Sequence, residues 1–308
     1  MSKAIAIGYL TKVSAANVNA SYTEGNVIVA KKVTLPDGST IPYISGQAIR
    51  RMLKDRLEEL GHTLSEPFAK VSGQQVTPPV RPWEFVDEDL FGYLDPAGCR
   101  RTSPVRVSAA VGMFPFQGDR DLGTRSFERF GQTMAAGGNI FETELYTNLF
   151  KGSMLIELDR LGVFAPLEIN QDKKEELPID ERRKRLQDLL EALSLLWGGG
   201  RTARMLTDLS PKFIAYSQLT VKHPVFLEAF AVHYENNKYI LEVEPLKSAL
   251  EKFRNYRNYT IFGIEPGIFD NEDEIKESLE DYGGVFTVYD AIQEAKKEVD
   301  NLWNECSV

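Results

Sequence analysis

The chain predicts an α+β fold: a βαββαβ core carrying large insertions that form an arm and a helical lobe. Three observations carry that expectation. Without its irregular stretches the sequence reads strand, helix, strand, strand, helix, strand. Apolar residues recur at steps of three and four after Ser45, and again after Glu181. Residues 61–98 hold five prolines and no clean period, and residues 115–147 hold five glycines, so both stand outside the core.

The first strand runs from about Lys3 to Val13, rich in Ile, Ala and Val. A second extended run covers Val27 to Thr34, and Pro36-Asp-Gly-Ser supplies a turn. Ser45 occupies the N-cap of a helix, where its hydroxyl can accept from amides that lack a helical partner. Ile49, Met52, Leu53, Leu57 and Leu60 make that helix's apolar stripe. From Cys99 to Met113, Val105, Val107, Ala109, Val111 and Met113 alternate with Arg106, Ser108, Ala110 and Gly112. This is the period of a half-buried strand, with an outer face small enough for a polymer backbone to approach. Lys151 to Asp159 is the next strand, and residues 167–178 form a charged linker. The second helix carries Leu186, Leu189, Leu190, Leu193, Leu196 and Trp197 until Gly198, Gly199 and Gly200 stop it. A strand from Phe213 to Val221 completes the order of a ferredoxin-like, RNA-recognition-motif core.

The chain therefore reads as one domain over residues 1–308, with its core at about 1–60, 99–114 and 151–221. The insertion is 61–98, the protruding arm 115–150, and an acidic segment covers 268–308. In that last segment Phe286, Val288, Tyr289, Ile292, Ala295, Val299, Leu302 and Trp303 predict a buried stripe on a closing helix.

At 308 residues and 43% apolar content, the chain is long enough to bury a full core. No run approaches the ~20 apolar residues that span a bilayer. Two cysteines, Cys99 and Cys306, are too few for a disulfide framework. The start has neither the h-region nor the cut site of a cleaved leader, so a cytoplasmic protein with no membrane partner is expected.

The net charge of −9 argues against nucleic acid only until it is counted by region. Residues 268–308 carry twelve Asp and Glu against three Lys, and the rest of the chain balances to zero. Residues 99–129 carry six arginines against three acids, and residues 182–204 six bases against two acids. Affinity for phosphate follows local charge, so the balance permits RNA binding.

Catalytic signals are missing. His62, His223 and His233 lie far apart with no partner at metal-ligand spacing. There is no phosphate-binding loop, dinucleotide fingerprint or nucleophile elbow. The expectation is a protein that is not an enzyme and uses neither cofactor nor metal.

A binding signal is present. Gln47, Arg50, Arg51 and Lys54 lie off the apolar stripe in the first turns after Ser45, where cations and free amides make a seat for phosphates. Taken alone, the same run also describes a solvated helix face. The stretches ISGQAIRRMLKDRL (44–57), RRTSPVRVSAAVG (100–112), WGGGRTARMLTDLSPKFI (197–214) and SAANVNASYTEGN (14–26) decide between these readings. In their order and spacing they resemble the DevR-type Cas-seven family, the backbone subunits of type I-B CRISPR Cascade complexes. The resemblance covers residues 1 to about 220, and residues 240–308 add little.

The resemblance implies a single Cas-seven-like domain that polymerises head-to-tail along a guide RNA (crRNA). Each copy cradles a segment in a palm, and a thumb displaces roughly every sixth base, leaving the rest to pair with target DNA. The implied partners are the guide, target DNA through the guide, other copies of the chain and other Cascade subunits. Those subunits are a pseudoknot-end cap, a large subunit and a guide-processing subunit. Carried over by residue, Ser45, Gln47, Arg50, Arg51 and Lys54 would meet guide phosphates, and Arg101, Thr102 and Arg106 would line the palm. Arg120, Arg125, Phe127 and Arg129 would belong to the thumb or a neighbour contact. Gly199, Gly200, Arg201 and Arg204 would form a second guide contact, and Asn17 and Asn19 a third.

Two alternatives remain open at this point. Type III relatives cut RNA with an aspartate in a loop near the first strand, but residues 14–26 offer Asn17, Asn19 and Glu24 and no aspartate. A stand-alone single-stranded RNA-binding module fits the long insertions less well.

Overall fold

A central sheet with cores on both faces organises the chain. A computed structural model describes residues 2–65, 68–69, 76–96, 98–125, 139–171, 175–200 and 205–303. In chain order, β1 (Ala4–Ala16) precedes β2 (Ala20–Glu24), β3 (Val27–Ala30), β4 (Lys32–Thr34) and β5 (Thr40–Ile44). The helix α1 (Gly46–Glu59) follows. The insertion holds a two-residue hairpin, β6 (Phe68–Ala69) with β7 (Val76–Thr77), then α2 (Val86–Phe91). A second short pair, β8 (Tyr93–Leu94) with β9 (Arg100–Arg101), leads to β10 (Val105–Val107) and β11 (Ala110–Gly112). The arm strand β12 (Asp119–Arg125) and the long β13 (Asn139–Glu157) come next. After β14 (Val163–Phe164), α3 (Pro166–Ile169) and β15 (Glu175–Glu176) come α4 (Ile179–Ser194) and β16 (Phe213–Leu219). The remainder is β17 (Ala231–Glu235), β18 (Lys238–Glu242), α5 (Val243–Lys252), β19 (Arg257–Ile264), α6 (Glu272–Leu279), β20 (Gly284–Thr287) and α7 (Val288–Val299).

The large sheet runs β20-β19-β16-β1-β13-β11-β5-β4, with β10 also on β13. In the run β16, β1, β13, β10 each strand is antiparallel to the next. Alternation along β1 explains its central place. Ile5, Ile7, Tyr9 and Val13 enter one core with the stripes of α1, α4 and α7, while Ala6 and Leu10 enter a second core. Each such fully buried Ile, Leu or Phe contributes about 1.5–3 kcal/mol. The second core is closed by Phe226, Phe230, Leu246, Leu250, Ile275 and Leu279.

Several expectations need correction. The sheet face expected to be open is largely covered, because residues 225–279 pack on it. Residues 257–264 also extend the sheet beside β16, which the faint pattern of the C-terminal third did not announce. The strand expected to run unbroken to Met113 breaks at Ser108–Ala109. Its faces invert there, so Ala110 and Gly112 are buried and Val111 is not. The strand expected from Lys151 begins instead at Asn139, and its first half pairs with β12 to make the arm. Arm and core thus share one strand. The run at 27–34 splits after Ala30: β3 pairs with the first part of β13, β4 with β5. The linker expected at 167–178 holds β15 and all of α3 but its first residue.

The closing helix is present as α7, capped by the Thr287 hydroxyl. Phe286 and Tyr289 are exposed rather than part of its buried stripe. Cys99 is a free thiol, and Cys306 lies outside the described residues. Among the described residues no helix is long and apolar enough to cross a membrane.

Candidate nucleic-acid interface

Ser45 caps α1 as its sequence requires. Its backbone is extended and its Oγ accepts from the Ala48 amide at 3.3 Å. The Ser45 amide in turn donates to Oδ1 of Asn19 at 2.9 Å, tying the helix start to the loop after β1. No acidic residue lies in the first turn, so the positive end of the helix is not neutralised locally. A Cβ at Gly46 would fall 2.5 Å from the Val107 carbonyl oxygen, so glycine lets this helix end close onto the break between β10 and β11.

The cations of α1 divide into two groups. Gln47 and Arg51 are exposed, and among the described residues Arg51 holds only an (i, i+4) pair with Asp55 at 2.8 Å. Arg50 turns inward, donating to the Phe91 carbonyl and lying 5.5 Å from its ring, and burial lowers its pKa. Lys54 pairs with Asp87 at 2.9 Å, a carboxylate that also accepts from the Ser65 amide and hydroxyl. Arg50 and Lys54 therefore fasten α1 to α2, contrary to their expected place on a phosphate seat. Their partners come from the insertion.

Arg101 requires the plainest correction. Its side chain is fully buried, and all five of its N–H donors are matched. Nε donates to the Asp89 carbonyl (3.0 Å), Nη1 to the Val163 carbonyl (2.9 Å) and Glu168 (2.7 Å), and Nη2 to Asp89 Oδ1 and the Arg160 carbonyl (both 2.7 Å). Asp89 also accepts from Arg185 at 2.9 Å. No donor is left for a phosphate. Thr102 is exposed, and its carbonyl accepts from Arg160 at 2.7 Å.

Arg106 is half-exposed and pairs with Glu157, which Lys222 (2.8 Å) and Arg160 (3.7 Å) also approach. Burial alone would raise the Glu157 pKa, but the Lys222 hydrogen bond and the three positive charges hold it below the usual carboxylate range.

The glycine loop meets the end of β1. Gly198, Gly199 and Gly200 all have left-handed φ, at 110°, 82° and 61°. A Cβ on Gly200 would stand 2.0 Å from the Asn17 carbonyl oxygen, and one on Gly199 2.7 Å from that of Val18. Three such residues exceed what a helix cap uses. Asn17 is 3% exposed, and among the described residues neither its side-chain nitrogen nor its side-chain oxygen has a partner. A buried amide left unpaired costs roughly 1–3 kcal/mol. The Val18 amide donates to the Tyr146 hydroxyl at 3.2 Å, and burial pushes that phenol up to about 12.

The structure thus gathers Asn17, Asn19, Ser45, Gln47, Gly199 and Gly200 at one end of β1, from three segments distant in sequence. Tyr146 belongs to the same cluster and carries no local signal, because its partner is 128 positions away. Arg56 was also missed: it is buried on the Trp197 ring at 4.6 Å, with Nε and Nη1 unpaired among the described residues. On the arm, Arg120 is exposed and pairs with Glu142 at 3.0 Å. Arg125 ends β12 opposite Asn139. Phe127, Arg129, Arg201 and Arg204 lie outside the described residues. Among the described residues no three His, Cys, Asp or Glu side chains gather to hold a metal ion.

This mixed α+β architecture is shared with chains of solved CRISPR RNA-guided surveillance complexes. One, from a pre-nicking complex, superposes with a TM-score of 0.62 at 13% identity, covering 96% of this chain and 100% of that one. Another, from a CRISPR RNA-guided surveillance complex, gives 0.60 at 14% identity, covering 96% and 98%. No curated protein sequence matches significantly. The model of the family described as CRISPR-associated negative auto-regulator DevR/Csa2 matches residues 83–244, over half of the chain, and the chain belongs to that family.

Proposed function

We propose that the chain is a non-catalytic, guide-RNA-binding backbone subunit of a type I-B CRISPR surveillance complex. Copies line up head-to-tail along one crRNA and present it for pairing with target DNA. The observation that carries this reading is the buried Asn17 amide, unpaired among the described residues, beside the left-handed Gly199–Gly200 backbone and the acid-free start of α1. An RNA backbone laid there would supply a phosphate oxygen or a 2′-hydroxyl to groups that lack partners. Gln47 and Arg51, exposed on α1, would meet the same backbone. The strand order β16-β1-β13-β10, with α1 and α4 on one face, supports an RNA-recognition-motif core.

The test is to purify the chain with the products of its neighbouring genes and size any RNA that accompanies it. RNA of one discrete length supports the scaffold. Metal-dependent cleavage of bound RNA at regular intervals would replace it with a nuclease, and a monomer bound to random RNA with a simple binding module.

A further inference from the structure

An aromatic pocket lies on the sheet face opposite α1. Tyr234 and Tyr239 face each other across the β17–β18 hairpin with ring centroids 5.0 Å apart. Phe114, which follows β11, lies 6.1 Å from the first and 6.0 Å from the second. With Met113, Gln117, Thr147 and His233 these rings line a cavity of about 470 Å³. The hairpin is held by Asn236 and Asn237, both with positive φ, the signature of a tight type I′ turn.

The pocket holds more than hairpin packing needs. Tyr234 is 51% exposed, so much of its ring is open to solvent. Lys12 places its ammonium 5.8 Å from the Tyr239 ring and, among the described residues, makes no ion pair. At the rim stand the exposed Gln117 amide and the Thr147 hydroxyl, which accepts from the Ala15 amide at 3.1 Å and keeps its own O–H as a donor. Open aromatic faces, one free cation and a few polar edges are the combination that stacks and reads a single base. The Ala15 contact also fixes the pocket's position. Ala15 is two residues before Asn17, at the register shift that ends regular pairing of β1 with β13. A strand of nucleic acid crossing the end of β1 would pass from the Asn17 cluster to this pocket.

We infer that the Phe114–Tyr234–Tyr239 pocket stacks an unpaired nucleobase, an inference that rests on the RNA-binding reading above. The experiment uses the full chain with a mixed-sequence single-stranded RNA containing 5-iodouridine, and a matching DNA containing 5-iododeoxyuridine. Photocrosslinks are mapped to peptides, and affinity is measured in parallel for Tyr234→Ala, Tyr234→Phe and Arg51→Ala. The expected result is a crosslink within 113–117 or 231–239 that Tyr234→Ala abolishes while lowering affinity roughly tenfold, and that Tyr234→Phe retains. The stronger of the two probes identifies the strand.

Crosslinks confined to 17–19, 45–51 and 198–200, with Tyr234→Ala binding at full strength, would overturn the pocket. If Arg51→Ala still weakens binding in that case, the guide-binding reading survives. A wild-type chain that retains no RNA removes both. Protection of Tyr234 that needs a second protein and no nucleic acid would make this surface a protein contact and overturn the inference.

Discussion

The carbonyl oxygen of Asn17 occupies the space a Cβ on Gly200 would need, 2.0 Å away, so these residues can adjoin only while position 200 lacks a side chain. Gly200→Ala combines that clash with a φ of 61° that alanine adopts at a cost. A loss of about 1–3 kcal/mol is expected in denaturant melts, with weaker RNA retention even where the chain is fully folded. An alanine variant that retains RNA as well as the parent would separate the loop from the site.

Asn17 offers the opposite signature. Its amide is buried without partners among the described residues, so replacing it with leucine should leave the RNA-free chain as stable or more stable. RNA binding should fall in the same variant. A marked drop in melting temperature without RNA would mean the amide is satisfied in the free protein.

Arg101→Met should destabilise the fold by about 3–5 kcal/mol, because Asp89 and Glu168 would lose their buried partner. Arg101→Lys should rescue little of this, since three donors on an ammonium cannot replace a five-donor fork. The RNA affinity of whatever folds should be unchanged. A folded, stable Arg101→Met chain that has lost RNA would return this residue to the interface.

Arg51→Ala is expected to do the reverse. The side chain is 70% exposed, so stability should stay within about 0.5 kcal/mol. The salt dependence of RNA binding should lose roughly one phosphate contact. Titrations at several salt concentrations decide it; an unaltered slope counts against a phosphate contact.

Acid stability should depend on Glu157, whose folded pKa lies below the ordinary 4.5. On acidification the unfolded carboxylate takes up its proton first, while the folded one remains charged beside Lys222, Arg106 and Arg160. Its stabilisation is therefore complete above about pH 4.5 and declines as pH falls through the folded pKa. Glu157→Gln should melt below the parent at neutral pH, and the gap should close on acidification. A gap independent of pH would assign the loss to packing.

Local chemistry was legible before folding. The Ser45 cap and the stripe at Ile49, Met52, Leu53 and Leu57 predicted α1, because a helix's cap and burial period lie within the helix itself. The α4 stripe and the three glycines after it were equally local, as was the run of Ile, Ala and Val in β1. The grouping of Ser45 and Gln47 on one helix start followed from these.

The allocation of charge was decided only in three dimensions. Arg50, Lys54 and Arg101 read as phosphate ligands because a cation's partner is invisible when it lies 41, 33 or 67 positions away. Folding brought Phe91, Asp87 and Glu168 to them, leaving Arg51 as the exposed cation of the group. The joining of Asn17 to Gly200 was likewise tertiary, as was the covering of the sheet's second face by residues 225–279. A segment's conformation depends on neighbours within a few residues, whereas the pairing and burial of a charge depend on which distant segments the sheet brings alongside.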